Sequence, residues 1–278
     1  MQEVPAAKSA AAPPIDDDVE DAMHSLFAPQ YSLATFRFGE EKSLQIKTSL
    51  SSSTDYDMTG AIVWPASELL CWFILKHPDF FRGRRIIELG SGASALPGLV
   101  VSGLASIVCL TDGMPELIEK TVENIDINKA TFAPGTSVSA HVLRWGDDDS
   151  LAATLHEEFH GQPVDVILGA DIVVWENVLP QLFHTIGRIF AHHRAAAGGS
   201  NPPVGAEGEA AWAHVPCAVL TYQRRFLSGE RTMAQLAETE HFRVLRLDAL
   251  GFLGPEEKER FAASEHGVDY ALMVLMPQ

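Results

Sequence analysis

Basic side chains are scarce in this sequence. Lys and Arg number 20 against 37 Asp and Glu, for a formal net charge of -17. A general nucleic-acid binder needs a basic face to neutralise phosphates, so that class is excluded. An acidic surface remains compatible with a basic protein partner. Cysteine is rarer still. Cys71, Cys109 and Cys217 are odd in number and lack a metal-ligand spacing. They are expected to be reduced thiols in a cytosolic or nuclear compartment. No apolar run approaches the roughly 20 residues that a membrane span needs, and the amino terminus lacks the basic-then-apolar order of a secretory signal. The histidines offer no metal set. His141 and His184 lie inside patterned elements, and His192 and His193 end a helix, where partial positive charge is favourable.

The patterned text starts after residue 28. Residues 1–28 are rich in Ala, Pro and acid and read as a disordered tail. Residues 29–278 are expected to form a single domain, with a hairpin extension over 29–58 and a flexible Gly- and Pro-bearing loop over 195–213. "YSLATFRF" and "SLQIKTSL" alternate apolar and polar residues and supply that hairpin. The helix "PASELLCWFILKHP" follows. Strands "RRIIELG", "SIVCLTDG", "SVSAHVLRW", "PVDVILGADIVV" and "PCAVLTYQ" then come in turn, all but the third leading into a helix, before a closing pair "FRVLRLDAL" and "YALMVLM". Short apolar strands alternating with amphipathic helices predict an α/β fold around a mostly parallel sheet covered on both faces. Such sheets bind ligands beyond the carboxyl ends of their strands, where the strand order reverses.

Chemistry-bearing residues sit at those ends. The first core strand closes on "ELGSG", so Gly90 and Gly92 permit a sharp turn next to a ligand. The next strand ends on Asp112, whose carboxylate can take both hydroxyls of a ribose. These two features describe a nucleoside site without choosing the nucleoside. Glu88, two residues before the first glycine, would repel a pyrophosphate and suits a cationic sulfonium, which favours S-adenosylmethionine over NAD. Trp64 and Trp145 each read as a stacking surface for a base or as a core residue. Asp171, at the end of an otherwise apolar strand, is either bonded structurally or directed into the site. Tyr222 and Arg224, in "TYQRRF", either border the substrate entrance or are ordinary surface residues.

The segments "TGAIVWPASELL", "IIELGSGASALPGLV", "LTDGMPELIEKTVENI", "VLRWGD" and "DVILGADIVVWE" together resemble the small seven-strand protein methyltransferases of methyltransferase family 16. The likeness runs from about Thr59 to about Arg225. It implies a Rossmann-like seven-strand S-adenosylmethionine-dependent methyltransferase fold. It also implies that Gly90, Ser91 and Gly92 bracket the methionine end and ribose, that Asp112 holds the ribose, and that Trp145 lies on the adenine. Trp64 and Ala170 would contact the cofactor from the opposite side. Asp171 would open the Asp-x-x-Tyr or Asp-x-x-Phe motif beside the target amine. The pattern is broken at Val174, where the aromatic is missing; Trp175, one residue on, either takes that role or packs in the core.

The resulting expectation is a monomeric S-adenosylmethionine-dependent protein methyltransferase, acting on lysine of a protein partner. A neutral amine would attack the sulfonium methyl in line, with alignment and a water-poor channel supplied by the protein. Asp171 would orient that amine. The alternatives are methyl transfer to a histidine or a small molecule, and a catalytically silent domain that binds cofactor as a scaffold.

Overall fold

A computed structural model describes residues 30–40, 42–49, 56–198, 216–225, 227–262 and 269–278. The expected tail over residues 1–28 and most of the expected loop (199–213) lie outside the described residues. Two strands, β1 (Tyr31–Phe38) and β2 (Lys42–Ser49), pair antiparallel as the expected hairpin. Then come a 3-10 segment (Tyr56–Ala61), α1 (Pro65–Lys76), a short α2 (Pro78–Phe81), β3 (Arg85–Leu89), α3 (Leu96–Val101), β4 (Ile107–Asp112), α4 (Pro115–Asn128) and β5 (Ser137–Val142). The chain continues through α5 (Asp148–Phe159), β6 (Val166–Ala170), α6 (Leu179–Ala196), β7 (Cys217–Gln223), α7 (Leu227–Thr239), β8 (Phe242–Leu247), α8 (Pro255–Ala262) and β9 (Tyr270–Pro277). Proline in the first turn of α1, α3, α4 and α6 marks where these helices begin, because its missing N–H costs nothing there.

Strands β3 to β9 form one sheet in the order β5-β4-β3-β6-β7-β9-β8. The first five run parallel, and β9 is inserted antiparallel between β7 and β8. This is the seven-strand methyltransferase topology that the resemblance implied. The order reverses between β3 and β6, so a crevice opens at their carboxyl ends. The period of two along each strand divides the core. Val166 and Leu168 face a layer containing α1 and α3, whereas Ile167 faces α6 and α7.

Two helices depart from the sequence reading. The segment before β6 forms α5, capped by Asp147, whose side chain accepts from Ser150 N at 3.0 Å. Its stripe Leu151, Leu155 and Phe159 is buried, and the i, i+4, i+8 spacing carried that signal. The closing strands are separated by α8, which attaches to α1 through Lys76–Glu257 at 3.3 Å and Arg260–Glu68.

The hairpin is held by side-chain amides. On α4, one turn apart, Asn124 and Asn128 each treat β2 as a neighbouring strand would. Lys47 N donates to Asn124 Oδ1 at 2.7 Å, and Asn124 Nδ2 donates to Lys47 O at 3.0 Å. Gln45 N donates to Asn128 Oδ1 at 3.1 Å, and Asn128 Nδ2 donates to Gln45 O at 2.8 Å. This satisfies an edge that would otherwise be open. Asn124 Nδ2 also reaches Ala93 O at 2.8 Å, so the same amide ties the hairpin to the loop after β3. At the opposite end of the sheet, Arg85 grips Asp165 through Nε at 2.9 Å and Nη2 at 2.7 Å, joining the starts of β3 and β6.

Candidate active site

A cavity of about 580 Å³ opens at the carboxyl ends of β3, β4, β5 and β6. That lies inside the range of roughly 300–1,000 Å³ usual for small-molecule sites. The loop after β3 forms its floor. Gly90 and Gly92 have φ of 65° and 59°, a left-handed backbone that only glycine adopts cheaply. A methyl on Gly90 would meet Ile172 Cγ2 at 2.6 Å, and one on Gly92 would meet Gly60 O at 2.7 Å. The glycines are therefore required by the protein's own packing as well as by the turn. Ala93 N donates to Gly60 O at 2.8 Å, closing the 3-10 segment over this loop. Ser91 lines the cavity with them.

Asp112 stands at the cavity wall with both oxygens on backbone amides. Gly92 N donates to Oδ2 at 2.9 Å and Met114 N to Oδ1 at 3.1 Å. Burial pushes this carboxyl above its ordinary range, opposed by the amides of Met114, Gly92 and Gly113. Trp145 follows β5 and lies against the cavity, with its ring edge toward Gly90. Trp64 precedes α1, lines the cavity and donates from Nε1 to Thr59 O at 2.8 Å. Ala170 and Val174 also line it, and Trp175, 39% exposed, stands at the rim rather than in the core.

Asp171 lies in the cavity wall with φ of 55°. Its N–H donates to Thr221 O at 2.7 Å. The carboxylate accepts from Gln223 N at 3.2 Å and, through both oxygens, from Arg225 Nη1 and Nη2 at 2.7 Å each. Arg225 also lies over the Trp64 ring, 5.1 Å from its centroid. Sequence reasoning missed Arg225, and the alternation beyond β7 was the available signal.

Three expected site residues fall elsewhere. Glu88 does not line the cavity: it is buried beneath it, and Gly98 N donates to its Oε2 at 2.9 Å. Its carboxyl is pushed up to about 8, first by burial and then, against the Gly98 bond, by Asp112. A methyl on Gly98 would overlap Leu110, so Gly98 provides the close helix–strand contact, while Ala95 stands in left-handed backbone before α3. Tyr222 is 2% exposed and points to the other side of the sheet, donating to Glu230 Oε1 at 2.7 Å. Arg224 pairs with Asp269 at 2.8 Å and Glu230 at 3.3 Å. Both belong to a small crevice beside α7 rather than to the cavity.

The histidines have structural partners. His141 meets Glu158 at 2.7 Å, His184 meets Asp148 at 2.9 Å, and His193 Nδ1 meets Val164 O at 2.6 Å. Among the described residues, no group of three His, Cys, Asp or Glu side chains is arranged to hold a metal.

A glycine turn after one strand, an acid ending the next and an indole after the third define a nucleoside-binding domain on the seven-strand methyltransferase fold. Comparison with known proteins takes this further. Residues 40–196, more than half of the chain, match the family described as lysine methyltransferase. The chain belongs to that family. Calmodulin-lysine N-methyltransferase of Arabidopsis thaliana is 33% identical over 150 residues, which are 53% of this chain and 46% of that protein. Protein-lysine N-methyltransferase EFM3 of Chaetomium thermophilum is 30% identical over 181 residues, 63% of this chain and 52% of that one. Protein N-lysine methyltransferase METTL21A of Danio rerio is 31% identical over 180 residues, 62% and 71% respectively. The chain spans about half the length of the first two.

Proposed function

We propose that this protein transfers the methyl group of S-adenosylmethionine to a lysine amine of a protein substrate. The observation that carries the reading is the convergence of Gly90–Gly92, Asp112, Trp145 and Asp171 on one cavity at the sheet's reversal point. The residues fit the cofactor's chemistry. Asp112 presents a carboxylate at the cavity wall for vicinal hydroxyls, and Trp145 and Leu143 give an apolar wall for a base. Related proteins named for lysine methylation support the choice of nucleophile.

When bound, the cofactor supplies an activated methyl on a positively charged sulfur, so strong acid–base machinery is unnecessary. Asp171 accepts a hydrogen bond from the incoming amine and sets its direction. Trp64 and Ala170 narrow the approach and exclude water, which lowers the cost of carrying that amine unprotonated. The three cysteines, all buried and unbridged, are consistent with a reducing cytosolic or nuclear location.

The test is incubation of the full chain with labelled S-adenosylmethionine and cell lysate, followed by identification of the labelled residue. Asp171→Asn should bind cofactor normally and transfer no label. Normal methylation by that variant, or absence of labelling by the wild type, refutes the reading. Val174 favours a second reading. It leaves the cavity edge aliphatic where an aromatic would frame a lysine stem, and label on histidine or on a small molecule would support that alternative.

A further inference from the structure

We propose that Arg225 is a positioning residue that fixes the Asp171 carboxylate and cancels its charge, so that the site takes the target amine in its neutral form. The inference rests on the proposed amine methylation and goes beyond it by assigning how an acid in the site avoids holding the substrate protonated.

The geometry is specific. Asp171's side chain is 2% exposed and receives three donors. Oδ1 takes two of them, Gln223 N and Arg225 Nη1, while Oδ2 takes only Arg225 Nη2. One acceptor position on Oδ2 remains for a substrate N–H. The fork is further held by Trp64, whose ring centroid lies 5.1 Å from the guanidinium carbon and whose indole is itself bonded to Thr59 O.

The electrostatic consequence follows. A lone carboxylate beside an amine stabilises the ammonium, which has no lone pair to attack with. A carboxylate already paired with a guanidinium does so far less. The surrounding charges do not replace this pairing. Glu68 on α1 is held by Arg260 of α8. Tyr270 on β9 has its phenol pushed up by burial, then by Asp171 and Glu68, against the pull of Arg225. Across the cavity, Asp112 at the end of β4 is bonded to backbone amides. Beyond Arg225, Arg224 is matched by Asp269 and Glu230. Arg225 is therefore the cation that neutralises Asp171.

The experiment measures single-turnover methylation from about pH 6 to 10, with the principal lysate protein labelled by the wild type as probe. Arg225→Gln should displace the rising limb of the pH–rate profile to higher pH by about one to three units, the effect of an uncompensated neighbouring charge. The loss of rate at neutral pH should then be recovered in alkali. Arg225→Lys, which keeps the charge and loses the fork, should keep the wild-type limb with a lower plateau. That charge-preserving variant still tests the idea if the glutamine protein does not fold. Calorimetry with S-adenosylhomocysteine should give wild-type cofactor affinity for both. A glutamine profile superimposed on the wild type, or a lysine profile shifted to higher pH, overturns the proposal. A wild type that labels nothing removes the methylation reading instead, and this inference with it.

Discussion

Replacing Glu88 with glutamine tests whether this acid belongs to the fold or to the ligand. The carboxyl is 1% exposed, and burial moves it from an ordinary 4.5 to about 8. Its folded-state value thus lies above the unfolded one. Between those two pH values the folded chain keeps a proton that the unfolded chain has released, so stability falls as pH rises through the window. At about 1.4 kcal/mol per pH unit, the ceiling of that loss is roughly 5 kcal/mol, and relaxation around the charge will reduce it. Glu88→Gln keeps an oxygen for Gly98 N and has nothing to ionise. Its stability relative to wild type should therefore climb by a few kcal/mol between about pH 5 and pH 8.5 and then level off. Urea denaturation at several pH values, without cofactor, measures this. Since all other titrating groups are shared, the difference between the proteins isolates Glu88. A difference that stays flat across the window refutes the argument. Because Glu88 lies below the cavity, its affinity for S-adenosylmethionine should remain within about threefold of wild type, a change of under 1 kcal/mol.

Two further substitutions probe the surroundings. Asp112→Ala removes the proposed ribose acceptor and strands the amides of Gly92 and Met114, so cofactor affinity should fall by well over tenfold; unchanged calorimetric affinity would refute the ribose assignment. Asn124→Ala deletes three bonds that join Lys47 of the hairpin and Ala93 of the cofactor loop, costing about 2–4 kcal/mol. Hydrogen exchange should accelerate at the Lys47 amide, and protection equal to wild type would show that the hairpin is held by other contacts.

Much of the fold is legible because its signals are local. Short strands of five to seven residues with apolar stretches at β3, β4, β6 and β7 and first-turn prolines need no knowledge of neighbours. Helix α5 was missed although Asp147 and the Leu151–Leu155–Phe159 stripe announced it, while α8 is so charged that no apolar stripe marked it. Of the residues singled out at the strand ends and the glycine turn, Asp112, Trp145 and Asp171 line the cavity, whereas Glu88, Tyr222 and Arg224 do not, because each of these three is oriented by a bonded partner or by strand pleat.

The sequence by itself determined the order of the strands and of most helices between them, the turn at Gly90–Gly92 and the acids at the carboxyl ends of β4 and β6, since these depend on backbone periodicity and on which residues tolerate a left-handed φ. Only the tertiary structure decided which of two adjacent arginines meets Asp171, that Glu88 lies under the cavity, and that two asparagines complete the edge of β2. Those outcomes depend on side-chain direction and on desolvation by distant elements, which have no local period to read.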